Sequence, residues 1–397
     1  MICRICDSKD LTLVIDLGIQ PWCNNFLTKD QIGTEPFYPL RVMYCNSCSA
    51  SQLDFTVKKE IMFSNHTYLS GTTNSLSNHF FKVAKDINDQ FFKNIINKSI
   101  LDIGSNDGTQ LKHFKNLGFE VLGVESSNIT SKLANDLGIV TINDFFNLKL
   151  MQKINKKFDV INASGVFFHL EELHSVCEGI HLGLKENGIF VVQFLYMKKI
   201  IENVAFDQIY HEHLLYYTLA TIEKLLNRHK LKMFDAYLSP IHGGSIIAYV
   251  GHPNFRDVSA NLIEMKLEEK NSGINKIDAY IEFNAKIKNM KRKNIDYLEN
   301  KKKNNKKIFG LGAPVKGNTL LNYFGINSNI LDFLVEKNTL RRNLYSPGMH
   351  IPIIMEDEIK SQPDVYYVLA WNFKEEILKN NEKLIERGIE FYFPVNP

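Results

Sequence analysis

Apolar and polar positions along the chain fall into segments of different period. Residues 40–44 (Leu-Arg-Val-Met-Tyr) have strand character, and 51–76 is mixed polar and aromatic. Over 78–94 apolar residues return at helical spacing, at Phe80, Phe81, Val83, Ala84, Ile87 and Phe91. The pattern then shortens. Residues 99–103 predict a buried strand that breaks at Gly104-Ser105-Asn106-Asp107-Gly108 into a helix over 109–117, and further strands are predicted at 120–125, 159–162 and 188–193. Strands alternating with helices imply a parallel, doubly wound sheet.

A second α/β region follows. Residues 264–303 are rich in Lys, Asn and Glu with apolar positions at helical spacing (Ile274, Ile277, Ile281, Phe283, Ile287), which predicts one connecting helix with a solvated face. Its basic end, Lys301 to Lys307, reads as a helix terminus and linker rather than a nucleic-acid or localisation patch, because the whole chain lacks a matching basic excess. Beyond it Lys307-Ile308-Phe309-Gly310-Leu311-Gly312 is again a strand entering a glycine turn, with strands expected near 330–335 and 365–370. The expected organisation is a small module over 1–65, a sheet domain over 66–255, and a linker helix with a second α/β domain over 256–397.

Composition narrows the partners. The 397 residues are 44% hydrophobic and 23% charged, an ordinary globular mixture of two to three domains. A net charge of +3 lacks the positive stripe that phosphate-tracking proteins carry, so no nucleic-acid partner is expected. Met1 to Asp7 puts charge and cysteine where a secretory signal needs an apolar core, and the richest apolar stretch, 189–197, is far below the ~20 residues of a membrane span. A soluble, cytoplasmic chain without a membrane partner is expected, its oligomeric state open and a monomer sufficient.

Five of the six cysteines lie in the first 48 residues. Cys3-x-x-Cys6 and Cys45-x-x-Cys48 form two knuckles that can close on one tetrahedral ion, although their separation exceeds the commonest four-cysteine spacing. A redox motif would open a helix after a strand, and neither pair has that setting. Structural zinc held by four thiolates is expected, with no open position for chemistry. Cys23 and Cys177 read as core residues.

The first glycine turn bears on a nucleoside. Gly104 and Glu125 stand 21 positions apart, close to the ~20 at which a strand-end acid meets ribose hydroxyls. The loop reads Asp102-x-Gly104-x-Asn106-x-Gly108 instead of the dinucleotide G-x-G-x-x-G, and an ordinary turn is the plain alternative. A loop carrying a carboxylate and an amide suits the zwitterionic tail of S-adenosylmethionine better than a pyrophosphate. It resembles the cofactor site of class I methyltransferases, which points to Asp102, Gly104, Ser105, Asn106, Gly108, Glu125 and Ser164, with Asp144 and Phe145 where that family contacts adenine.

Phe206-Asp207-Gln208-Ile209-Tyr210-His211-Glu212-His213 concentrates two imidazoles, a carboxylate and a phenol within four positions, a set suited to proton transfer near pH 7. A second metal site and a structural polar network are the alternatives. His211 and His213 share a face only on a strand. His169 lies after a predicted strand and turn, where an α/β sheet places ligands, or else caps a helix over 170–177. The turn at His242-Gly243-Gly244-Ser245 lets a ligand approach backbone closely.

In order, the two knuckles, Asp16-Leu17-Gly18-x-Gln20-Pro21, Ser51-Gln52-Leu53, Tyr68-x-Ser70-Gly71, the methyltransferase loop, the 206–213 segment, His242-Gly243-Gly244-Ser245, 316–323 (Lys-Gly-Asn-Thr-Leu-Leu-Asn-Tyr), Pro347-Gly348-x-His350-Ile351-Pro352-Ile353 and Ala370-Trp371-Asn372-Phe373 cover nearly the whole chain. On these motifs the chain resembles the sugar C-methyltransferases of deoxysugar biosynthesis. The resemblance implies a zinc-binding module, a central class I methyltransferase domain and a C-terminal Rossmann-like domain. It implies a 4-keto-6-deoxy sugar on a nucleoside diphosphate, often thymidine diphosphate, methylated beside the ketone. It makes His213 the base, with Tyr210 and Glu212 orienting it or donating to the sugar, and His169 and Tyr68 supporting the enolate oxygen or the transferred proton. Gln193, His211, His242, Gly243 and Ser245 would line the sugar pocket, and Lys316 and Asn318 would face the diphosphate. The chain departs from the family pattern at 164–168 (Ser-Gly-Val-Phe-Phe), at Thr67 before Tyr68, and at Glu336 where an Asp is usual. An O- or N-methyltransferase and a non-catalytic binding protein are the competing expectations.

Overall fold

Two long extended segments open the chain. In the computed structural model, which describes every residue except Thr67, Thr73, Asn396 and Pro397, β1 (Leu11–Pro21) and β2 (Phe37–Cys45) pair antiparallel and β3 (Ser51–Leu53) adds to β2. The β1–β2 register slips twice, between Leu13 and Ile15 and between Asp16 and Ile19, where Gly18 takes a left-handed φ of 81°.

The central sheet is built from β4 (Ser99–Ile103), β5 (Glu120–Glu125), β6 (Thr141–Asn143), β7 (Phe158–Ser164) and β8 (Leu184–Leu195). After the short β9 (Leu215–Tyr216) come β10 (Lys232–Ser239) and β11 (Ser245–Gly251). The order is β10-β11-β8-β7-β4-β5-β6, with β11 antiparallel to both neighbours and the pairs from β8 to β6 parallel. β4 is buried at every position, as a parallel strand covered on both faces must be. Strand order reverses between β4 and β7, which opens a crevice at their carboxyl ends. β9 leaves this sheet: Ser51 pairs with Tyr216 and Gln52 with Leu215, so the central part of the chain supplies the fourth strand of the first module.

The third sheet is all parallel. β12 (Ile308–Leu311), β13 (Leu334–Glu336), β14 (Ile353–Met355), β15 (Val365–Val368) and β16 (Glu390–Tyr392) lie in the order β14-β13-β12-β15-β16 and reverse at β12/β15. The strand expected near 330–335 starts only at Leu334, because Asn327 closes a turn that takes up Ile330 and Leu331.

Two helical expectations change. The predicted connector is two helices, Ala260–Asn271 and Ile277–Lys303, separated at Ser272-Gly273, where Gly273 takes φ 71°. Its last turn carries Lys301, Lys302 and Lys303, which complement the negative helix end. The pattern over 78–94 is a helix Asn74–Ile87 that widens into a π turn at Asn88–Phe92. Among the described residues no helix is long and apolar enough to cross a membrane.

The first and third modules dock directly. Leu27 and Tyr345 exchange backbone hydrogen bonds of 3.0 and 2.8 Å. Glu35 accepts from the Gly348 amide (3.0 Å) and pairs with His350 Nε2 (2.5 Å), while Asn322 donates to the Pro347 carbonyl (3.0 Å). Gly348 has φ 75°, and a Cβ there would stand 2.1 Å from Asn322 Oδ1. Gly348 and His350 of the 347–353 motif thus form part of this interface, and Asn322 braces Pro347 from within the third module.

Candidate functional site

The four knuckle cysteines converge. Their sulfurs lie within 4.8 Å of one another, with Cys3–Cys48 at 3.5 Å and Cys6–Cys45 at 3.6 Å. A tetrahedral ion ~2.3 Å from each sulfur requires sulfur–sulfur edges of about 3.8 Å, so the donor set fits zinc. Lys224 and Arg228, from the central domain, donate to the Cys48 and Ile5 carbonyls and fasten the knuckles to it. Cys23 and Cys177 are buried elsewhere, and no second convergence of three or more ligand side chains occurs among the described residues.

At the end of β4, Gly104 (φ 69°) passes so close to Val166 that a Cβ would stand 2.5 Å from its Cγ2, and Gly108 (φ 77°) opens the helix Thr109–Asn116. Glu125, at the end of β5, accepts the Asn106 and Ser127 amides, both at 2.8 Å. Burial pushes its pKa up against those hydrogen bonds. Asp102 lies beneath the loop, 2% exposed, and accepts from Asn162 Nδ2 at 2.6 Å; burial raises it to about 7. Ser164 Oγ bonds Asn162 at the end of β7, and the buried Ser105 Oγ has no hydrogen-bond partner among the described residues. Asp144 is exposed after β6, and Phe145 beside it lies under the Lys59 ammonium at 4.7 Å. A glycine cradle, a strand-end acid with spare lone pairs and an orphaned hydroxyl fit the ribose and polar tail of S-adenosylmethionine. The segment around Tyr68 crosses this loop: Asn106 bonds the Tyr68 carbonyl (2.9 Å) and the Ser70 amide (2.9 Å), and Gly71 donates to Asp107 (2.8 Å). Tyr68 is half exposed there.

The second cluster sits between the sheets. His213 is 3% exposed, its Nδ1 2.7 Å from the Gln208 carbonyl, and His169 Nδ1 is 2.5 Å from the Glu212 carbonyl. A carbonyl only accepts, so each Nδ1 carries the proton and each Nε2 is bare. Their rings are 5.2 Å apart, and Tyr210 lies against His213 at 3.8 Å. Burial holds His169 down to about 4 and His213 well below its ordinary value, so both imidazoles are neutral at pH 7. Glu212 is raised to about 7 by burial, against hydrogen bonds from Trp22 (2.8 Å) and Asn24, with His66 Nε2 at 3.9 Å.

His211 does not join them. Residues 210–212 form a turn, neither the strand nor the helix considered above, and the His211 ring packs edge-on to Tyr38 at 5.7 Å. The helix after His169 is Leu173–Gly183, preceded by Glu172, so His169 is no cap.

The expected substrate residues separate into two groups. Gln193, near the end of β8, is 2.7 Å from His79 Nε2, and His242 is exposed and takes the left-handed φ of 56°. Gly243 approaches the Trp371 ring, where a Cβ would be 3.7 Å away. Lys316 Nζ is 3.6 Å from Asp207 Oδ2 and 4.0 Å from the Trp371 ring centre; burial lowers its pKa and Asp207 opposes the shift. Asn318 and Ser245 spend their donors within the protein, Asn318 on the Cys23 carbonyl (2.6 Å) and Ser245 on Ile241 (3.1 Å). Sequence reasoning missed Trp22, Asn24, His66, His79, Asp207 and Trp371 as site residues. For the tryptophans a signal existed, since the chain has only two.

The family model described as "Putative zinc binding domain" matches residues 3–63, "Methyltransferase domain" 77–235 and "C-methyltransferase C-terminal domain" 240–396. The C-methyltransferase NovU of Streptomyces niveus is 28% identical over 400 residues, spanning 99% of this chain and 95% of the relative. Among solved structures, magnesium protoporphyrin IX methyltransferase (ChlM) from Synechocystis PCC 6803 with bound SAH is 12% identical, covering 44% of this chain and 81% of that one at a TM-score of 0.35. A S-adenosylmethionine-dependent methyltransferase from Clostridium acetobutylicum ATCC 824 is 16% identical, with 46% and 93% covered at a TM-score of 0.36.

Proposed function

The chain belongs to the S-adenosylmethionine-dependent C-methyltransferases with a zinc-binding first module, and from that premise we propose that its acceptor is a 4-keto-6-deoxy sugar carried on a nucleoside diphosphate and methylated at the carbon beside the ketone. The observation that carries this reading is the pair of buried, neutral imidazoles, His213 and His169, each with Nδ1 committed to a carbonyl and Nε2 bare. An oxygen or nitrogen acceptor already has a lone pair, whereas a carbon acceptor must first lose a proton to a base.

In this reading His213 Nε2 removes the proton beside the ketone, and Glu212 in the same pocket offsets the imidazolium that results. Tyr210, whose pKa burial pushes up, stays a neutral phenol and donates to the enolate oxygen. His169, an acceptor at Nε2, serves the transferred proton and not the oxygen. Glu125 takes the ribose hydroxyls, and the 104–108 loop with Asp102, Asp144, Phe145 and Ser164 holds the rest of the cofactor, with Tyr68 closing that end. Bound S-adenosylmethionine supplies a methyl activated by its sulfonium. Gln193, His242 and Gly243 border the sugar, and Lys316 faces the diphosphate. The modules are taken as 1–65, 66–255 and 256–397. All six cysteines are free, which suits a reducing cytoplasm.

The test is turnover with methyl-labelled S-adenosylmethionine and a 4-keto-6-deoxy nucleotide sugar in deuterated water, read by NMR. A labelled methyl on carbon is expected, with His213→Gln slowing turnover about a thousandfold while cofactor binding is retained. A labelled methyl on oxygen or nitrogen overturns the reading.

A further inference from the structure

We infer that the two tryptophans of the chain are positioning residues, Trp22 from the first module and Trp371 from the third, each holding one carboxylate of the 206–213 segment so that docking of both flanking modules sets the geometry of the imidazoles. The catalytic part of this inference rests on His213 acting as the base.

An indole N–H only donates, and a buried carboxylate must find donors. Trp22 Nε1 donates to Glu212 Oε1 at 2.8 Å, and Trp371 Nε1 donates to Asp207 Oδ2 at 2.6 Å. Glu212 is 5% and Asp207 0% exposed. The other donors facing them, Asn24, His66 and Lys316, also come from outside the central sheet's own segment, 99–251. Each anchor then reaches an imidazole through the backbone. The Glu212 carbonyl holds His169 Nδ1, and the carbonyl next to Asp207, that of Gln208, holds His213 Nδ1. Trp371 sits after β15 at the reversal of the third sheet, and Trp22 follows β1. The bonds span 190 and 164 residues of sequence, so neither forms unless the modules are docked.

Phenylalanine in place of either tryptophan keeps an aromatic ring and removes the N–H. In the full-length protein, Trp22→Phe and Trp371→Phe should each lower kcat about tenfold with KM within about threefold and cofactor affinity unchanged. In a Glu212→Gln background Trp22→Phe should add less than twofold, because its target charge is already gone. Each variant also leaves a single indole. In Trp371→Phe the emission of Trp22 should titrate near pH 7 with Glu212, which is faced by Trp22, Asn24 and Cys23 from the stretch after β1, by His66, and by Tyr210 of its own segment. The titration should vanish when Glu212→Gln is added. If Trp371→Phe does not fold, the same comparison is made between the parent protein and Glu212→Gln. The fluorescence arm needs no substrate, so failure of the sugar reading leaves it standing. Full kcat in both Phe variants, or a titration that survives Glu212→Gln, overturns the inference.

Discussion

Two parallel sheets in one chain begin alike and end differently. In the central sheet β4 runs into a glycine turn and β5 ends on Glu125; in the third sheet β12 runs into Gly312 and β13 ends on Glu336. Both acids fold back on the turn, Glu125 accepting from Asn106 and Glu336 accepting from Ala313 at 2.9 Å. Glu336 also accepts the Lys337 and Asn338 amides (2.8 and 3.0 Å) and pairs with Arg341 at 3.2 Å. The Arg341 guanidinium donates to the Ala313 carbonyl and lies over the Phe26 ring at 4.5 Å. Burial pushes both carboxyls up. It prevails at Glu125, while at Glu336 the amide bonds and Arg341 outweigh it and the pKa falls. One acid meets only backbone amides and a neighbouring hydroxyl, and the other is paired with the chain's own cation, which also lies over a ring of the first module. Topology locates a crevice, and the side chains around it decide its use.

The largest effect should come from removing what the third sheet docks on. Chelation or Cys45→Ser should unfold the first module, withdraw Trp22 and Asn24 from Glu212 and reduce turnover below detection, with a new early transition in calorimetry; full activity without metal would separate the module from the chemistry. Next, the two acids should respond unequally. Glu125→Ala should weaken S-adenosylmethionine binding about a hundredfold in calorimetry, whereas Glu336→Gln should leave it within about twofold, and equal losses would erase the contrast. The smallest effect is on stability against pH. Asp102 has a folded pKa raised to about 7, so folding favours its neutral form, and the penalty for ionising it grows as pH rises from its unfolded value near 4 to about 7. Asp102→Asn should therefore raise the melting temperature by a few degrees at pH 8, from about 2–4 °C per kcal/mol, and by much less at pH 4. Glu336 has the opposite sign. Its depressed folded pKa gives stability that is present above the unfolded value and lost as pH falls through the folded one, so Glu336→Gln should destabilise at pH 7 more than at pH 3.

Local chemistry was readable and distant pairing was not. The cysteine knuckles, the glycine turn and an acid 21 positions later each follow from bonding needs within a few residues or one βαβ unit. Gly273 breaks the connector because a left-handed φ ends a helix, but an isolated glycine in a charged helical pattern does not announce which conformation it takes. The two residues of β9 carry no mark of a partner 165 positions upstream. His213 was expected as the base and His211 in the sugar pocket, but the turn at 210–212 sends His211 away from the other imidazoles and against Tyr38. Lys316 was expected to face a diphosphate, and its neighbours Asp207 and Trp371 became visible only with the modules in place.

The loan of β9 to the first module bears on how the chain is made. Leu215 follows Leu53 by 162 residues, so at a synthesis rate of about 5–20 residues per second the edge of β3 waits on the order of ten to thirty seconds for its neighbour. Throughout that interval the newborn module has three strands, an unpaired edge and all four cysteines already out of the ribosome. Metal bound to the four cysteines at that stage would give the module a shape to keep until the strand arrives.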